Sequence, residues 1–215
     1  MSTPENNPPN PVNPVKVPKQ TIWHKRFGPV GGSVAVFVLE VLQIVIVSAA
    51  IVLPIRYFLV QPFNVKGESM EPTFNNNDYL VIDELTYRFR NPERGEVIVF
   101  RYPVDPSQFF IKRVIGLPGE TVQVSDGHIT IYNASEPNGF VLDEPYLSSS
   151  VVTTGNEKVT LGADEYMVFG DNRTESLDSR VFGPIKKTAI VGRVWIRGLP
   201  FSAATIFDKL PTYNS

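Results

Sequence analysis

From Ser33 to Pro54 the chain reads SVAVFVLEVLQIVIVSAAIVLP, an almost unbroken apolar run. About 20 such residues cross a hydrocarbon layer as a helix, so the run predicts one transmembrane helix, bounded here at 33–59. Glu40 is its only ionisable residue, with Gln43, Ser33 and Ser48 the other polar ones. Glu40 lies about two turns from the start, within reach of the headgroups. A cleavable leader is the rival reading, because Ser48-Ala49-Ala50 offers small residues. That triplet lies inside the run rather than after it, and the run exceeds the roughly 7–15 apolar residues of a leader core, so a retained anchor is expected. Lys16, Lys19, Lys25 and Arg26 precede the run, against Arg56 and Lys66 just beyond it. This asymmetry predicts a single-pass plasma-membrane protein with its N-terminus in the cytoplasm and residues 60–215 outside. Residues 1–20 hold six prolines and few apolar side chains. They read as a disordered tail, followed by a basic juxtamembrane segment over 21–32.

Beyond the anchor, short runs rich in Val, Ile, Tyr and Phe alternate with turn signals, which predicts a mainly β domain. The expected strands are 79–83, 96–102, 109–115, 121–124, 128–132, 165–169 and 190–196, punctuated by Gly95, Pro118-Gly119, Asp126-Gly127, Gly170 and Gly183-Pro184. Residues 201–215 are expected to form a short terminal helix. A formal net charge of −2 gives no basic excess for phosphates, so nucleic acid is excluded as a partner. With no cysteine, thiolate metal sites and a cysteine nucleophile are excluded as well. Histidine occurs only at 24 and 128, so a catalytic base is one of these or a group other than imidazole. His128 follows Gly127 in an expected hairpin turn and reads as a surface residue.

Three segments carry candidate chemistry. Gly67-Glu68-Ser69-Met70-Glu71-Pro72-Thr73 presents a serine pinned between Gly and Pro, which alone is most often a turn residue. In Phe109-Phe110-Ile111-Lys112-Arg113-Val114-Ile115, alternation puts Phe110, Lys112 and Val114 on one face. Apolar surroundings disfavour a charged amine, which is how a lysine becomes a base near neutral pH. The plainer account is an edge-strand lysine that blocks aggregation. Residues 170–180, GDNRTESLDSR, form a dense polar loop of a kind that often only satisfies its own backbone. Beside a serine and a lysine, however, it offers a hydroxyl to orient the amine and an Asp/Arg pair to fix the loop.

In order and in wording these segments resemble the bacterial type I signal peptidases, over most of the chain from the apolar run to about residue 200. Ser-Met-x-Pro-Thr stands at 69–73, the Lys-Arg-x-x-Gly-x-Pro-Gly-Glu pattern at 112–120 and the closing motif at 170–180. The resemblance implies an antiparallel β domain behind one membrane helix. It implies Ser69 as nucleophile, Lys112 as general base, Ser176 as the hydroxyl that orients the lysine, and Asp178 with Arg180 as a supporting ion pair. Asp171 and Asn172 are expected to be structural first. One oxyanion donor is implied at the Ser69 N–H, and Gly67, where some relatives carry serine, is the candidate for the second. Phe63, Val65, Phe110 and Ile111 are expected to line pockets admitting Ala at the −1 and −3 positions of a signal peptide. No metal or cofactor is expected. The implied partners are signal peptides of exported preproteins and the lipid bilayer, with the secretion machinery open as a third. Only 57 residues separate Lys112 from Gly170, so the second β domain of larger relatives is expected to be small or missing. A self-cleaving repressor using the same residue pair would need a DNA-binding domain where this chain has its apolar run. A non-catalytic tethered module would have lost Ser69 or Lys112.

Overall fold

Period-2 burial shows first in the hairpin 121–132, where Val122, Val124, Ile129 and Ile131 are buried and the residues between them are not. Its turn takes left-handed backbone at both Asp126 (φ 52°) and Gly127 (φ 83°), the two-residue geometry that matches strand twist. His128 is exposed at its edge. The computed structural model describes residues 22–58, 60–211 and 213. The tail expected over 1–20 lies outside them.

The chain divides after Val52 into two compact units. The first holds most of helix α1 (Ile22–Phe58), whose window Val36–Leu53 is long and apolar enough to cross a membrane and has none of its residues buried. The helix starts at Ile22, earlier than the expected 33. Once nucleated in a long apolar stretch, helix extends cheaply one residue at a time.

The second unit is built on strands β1 (Val60–Asn64), β2 (Tyr79–Asp83), β3 (Val97–Arg101), β4 (Phe109–Gly116), β5 (Thr121–Ser125), β6 (His128–Tyr132), β7 (Phe140–Val141), β8 (Lys158–Thr160), β9 (Glu165–Phe169), β10 (Ile185–Lys186), β11 (Ile190–Leu199) and β12 (Thr205–Ile206). A one-turn helix, α2 (Ser179–Phe182), follows β9. The larger sheet runs β1-β2-β11-β3-β4-β9-β10, with β12 added on β11. The smaller runs β7-β6-β5-β8, and every pairing in both is antiparallel. Mainly β structure is therefore observed. The insertion between Lys112 and Gly170 is present as the smaller sheet, which shares a core with the larger through Ile115, Val122, Ile131, Met167 and Phe169.

The terminal helix expected over 201–215 is not found among the described residues. Phe201–Ala203 makes one 3-10 turn and Thr205–Ile206 pairs with β11. The reason lies in Phe207, which packs on Phe74 at 4.8 Å between ring centroids, a contact that favours extended chain over local helix.

Candidate active site

Ser69 lies in the connection between β1 and β2, and its neighbours are anchored before any chemistry is considered. Met70 and Phe74 are 1% and 0% exposed in the core with Val65, Leu80 and Ile82. Each such side chain contributes roughly 1.5–3 kcal/mol. The Phe74 N–H donates to the Met70 carbonyl (2.9 Å) and Glu71 to Glu68 (3.1 Å). From β11, Arg197 donates to the Thr73 carbonyl (2.8 Å) and to Asp78 Oδ2 (3.3 Å), which also accepts from the Asn75 N–H (3.0 Å).

Lys112 projects from β4 and is 4% exposed. Its Nζ lies 2.7 Å from Ser69 Oγ and 2.9 Å from the Ile111 carbonyl, with the Phe110 ring 5.4 Å away. Burial pushes the amine down from its ordinary 10.5 to about 8, against the opposing pull of the Asp178 and Asp171 charges. The next residue, Arg113, points to the opposite face. It grips Asp171 with two bonds, Nε–Oδ1 at 2.8 Å and Nη2–Oδ2 at 2.5 Å, and stacks its guanidinium 3.9 Å from the Tyr146 ring centroid. Thr73 Oγ1 donates to the same Asp171 carboxylate (2.6 Å), tying the Ser69 loop to β4.

The loop after β9 closes the site from a third side. Gly170 admits no side chain: a Cβ there would stand 2.2 Å from Ser176 Oγ and 2.4 Å from the Ser69 carbonyl oxygen. Asp178, fully buried, caps α2 and accepts from Arg180 (Nε 2.8 Å, Nη2 2.7 Å) and from the Gly170 N–H (3.1 Å). Burial acts to raise its pKa, but the Arg180 bond and charge and the Gly170 N–H prevail and hold the carboxyl below its ordinary value. Arg180 reaches on to the Thr154 (3.1 Å) and Arg173 (2.7 Å) carbonyls, and Arg173 pairs with Glu144.

Two expectations meet a different geometry. The Ser176 hydroxyl is buried beside Gly170 and close enough to Asp178 to help keep it ionised. It nevertheless makes no hydrogen bond of standard geometry, so the bond expected from it to Lys112 is not formed. The Gly67 N–H, considered as a second oxyanion donor, is committed to Asn76 Oδ1 at 3.1 Å. Residue 67 also has φ +89°, with nothing near its missing Cβ, so backbone conformation rather than space favours glycine over serine.

A groove of about 710 Å³ runs past the Ser69–Lys112 pair, and Phe63, Val65, Phe110 and Ile111 all line it. Glu175 and Leu177 of the closing loop line it too, and sequence reasoning did not single them out. Nor did it single out Arg113 or Asn76. Arg113 carried a signal, since a charge next to Lys112 on a strand with apolar neighbours needs a buried partner. Among the described residues, no group of three or more His, Cys, Asp or Glu is arranged to hold a metal.

Fold and groove together define a mainly antiparallel β protein with a cleft running past a part-buried serine–lysine contact. The signal peptidase (peptidase S26) family model matches residues 38–198. Signal peptidase I of Leptolyngbya laminosa is 38% identical over 184 residues, covering 81% of this chain and 86% of that protein. Signal peptidase IB of Staphylococcus aureus is 31% identical over 182 residues, covering 77% and 91%. A crystal structure of a signal peptidase I from Enterococcus faecalis is 33% identical with a TM-score of 0.41, covering 48% of this chain and 97% of that one. The chain belongs to the signal peptidase family, the S26 peptidases, hydrolases of signal-peptide processing.

Proposed function

We propose that this chain is a membrane-anchored signal peptidase I that cuts preproteins after an Ala-x-Ala site, with Ser69 as nucleophile and Lys112 as general base. The observation that carries the reading is the 2.7 Å contact between Ser69 Oγ and a buried amine depressed to about 8. As Oγ bonds to the scissile carbonyl carbon, its proton passes to Nζ. Collapse of the tetrahedral intermediate breaks the C–N bond, and the same proton leaves with the new amine. Water then repeats the sequence on the acyl-enzyme, again through Lys112. Asp178 and Arg180 act by holding the closing loop, and Ser176 lies among them as a supporting residue. The Ser69 N–H is the proposed oxyanion donor.

The groove supports the substrate class. An extended peptide laid between β1 and β4 meets Phe63 and Val65 on one side and Ile111 on the other, with Phe110 beside the amine, and steric exclusion by these side chains is the proposed basis for favouring Ala. The apolar window ends at Leu53 and β1 begins at Val60, so the chain itself tethers residues 60–215, the proposed catalytic domain, to the bilayer. With the tail inside and this domain outside, tethering raises the local concentration of substrates leaving the membrane.

The test is cleavage of a preprotein with an Ala-x-Ala site by the detergent-solubilised full chain, with the cut located by mass spectrometry. Wild type is expected to cut directly after the second Ala and Ser69→Ala to leave the preprotein intact. A cut elsewhere, or an active Ser69→Ala, overturns the reading.

pH dependence gives a second expectation. A general base works when neutral, so kcat/KM should rise with pH and reach half its plateau at about 8, where Lys112 loses its proton. A rate already flat from pH 6 to 9 would assign the base elsewhere.

A further inference from the structure

Asn172 holds both carbonyls that flank Ser69. Its side-chain Nδ2 donates to the Glu68 carbonyl at 3.2 Å, and its backbone N–H donates to the Ser69 carbonyl at 3.1 Å. The first bond bears on the chemistry because the Glu68 carbonyl and the Ser69 N–H belong to one peptide unit. That unit is trans, since among the described residues the cis bonds are Glu71-Pro72 and Leu199-Pro200. In a trans peptide C=O and N–H point in opposite directions. A donor fixed on the carbonyl therefore aims the Ser69 N–H away from the closing loop. Among the described residues nothing accepts from that N–H.

We infer that Asn172 is a positioning residue that orients the Glu68–Ser69 peptide so that its N–H meets the oxyanion. This rests on the Ser69/Lys112 reading and deepens it. Two effects act together. The Glu68 carbonyl accepts from the Glu71 N–H (3.1 Å) as well, and with the Asn172 amide as its second donor the peptide is held from two sides, so its N–H needs no reorganisation when charge develops. A hydrogen bond to the carbonyl also polarises the amide and strengthens its N–H as a donor. The commitment of the Gly67 N–H to Asn76 leaves more of the burden on this one peptide.

The rival account is that Asn172 merely shapes its own turn, because Oδ1 accepts from Thr174 Oγ1 (3.2 Å) and from the Glu175 N–H (3.3 Å). Two substitutions separate the accounts. Asn172→Asp keeps the Oδ1 acceptor and loses the donor to Glu68. Asn172→Ser keeps a shorter acceptor for the turn, cannot reach Glu68 and adds no charge beside Lys112. Steady-state cleavage of an Ala-x-Ala peptide by the full chain is measured across pH, with thermal melts of each variant. Both variants are expected to lower kcat about 10- to 100-fold at the high-pH plateau, less than the roughly 10²–10³-fold for deleting an oxyanion donor outright, with KM within about twofold of wild type. Loss confined to KM, loss that vanishes at the plateau, or near-wild-type kcat in either folded variant would overturn the inference. Ser69→Ala and Lys112→Ala run in parallel: if either retains activity, the dyad reading has failed, whatever the Asn172 variants do.

Discussion

Lys112→Ala is expected to abolish preprotein cleavage, with a loss on the order of 10⁴-fold or more, while the β domain stays folded. Lys112 Nζ lies 2.7 Å from Ser69 Oγ, and burial lowers its pKa to about 8, so that a working fraction of the amine is unprotonated around that pH. Without it the hydroxyl has no acceptor for its proton. The fold should survive because the substitution removes a polar group whose burial is itself costly and gives up only the packing of its stem. Lys112→Arg sharpens the test. A guanidinium keeps the positive charge but does not deprotonate in a protein, so this variant should be equally inactive if Lys112 is a base. If Lys112 merely stabilised negative charge, the arginine would retain much of the activity. Far-UV circular dichroism and thermal melts of both variants check that loss is chemical. Full activity in folded Lys112→Ala would remove the dyad.

The second large effect concerns stability. Asp171→Ala should destabilise the domain by about 3–5 kcal/mol, because it strands the buried Arg113 guanidinium without its two-bond partner. At about 2–4 °C per kcal/mol for a domain of this size, the melting temperature should fall by roughly 6–20 °C. Thr73 loses its acceptor in the same step, so cleavage should fall as the Ser69 loop loosens. The penalty belongs to the uncompensated charge, and the double variant Arg113→Met/Asp171→Ala should therefore recover part of the stability. A shift below about 1 kcal/mol for Asp171→Ala would mean that the pair behaves like an exposed one, contrary to its burial.

Runs rich in Val, Ile, Tyr and Phe between turn signals placed β2, β6 and β9 at the residues where they are found and β3, β4, β5 and β11 to within a few residues, whereas β1 was not among the expected strands. The short strands β7, β8, β10 and β12 were not legible. Two or three residues carry no period, and their extended form comes from the neighbour they pair with. The apolar run of α1 was readable from composition, and the terminal segment was misread because Phe207 finds its place against Phe74, a partner far away in sequence. Which carbonyls the Asn172 amide meets was not legible for a related reason, since a loop motif does not reveal its distant contacts.

What the sequence determined by itself was the set of reactive groups and their local frames: a serine between Gly and Pro, a lysine on an apolar strand face, and a glycine-led polar loop. Only the tertiary structure decided that these frames converge. Strands β1 and β4 are separated in the sheet by β2, β11 and β3, yet Phe63 and Phe109 meet at 5.5 Å. Register shifts along β11 accompany a sheet curled far enough to bring its distant strands together, and the groove lies between them. The depressed lysine has the same origin. Desolvation depends on the atoms packed around Nζ, and these include Ser69, which lies 43 residues away along the chain.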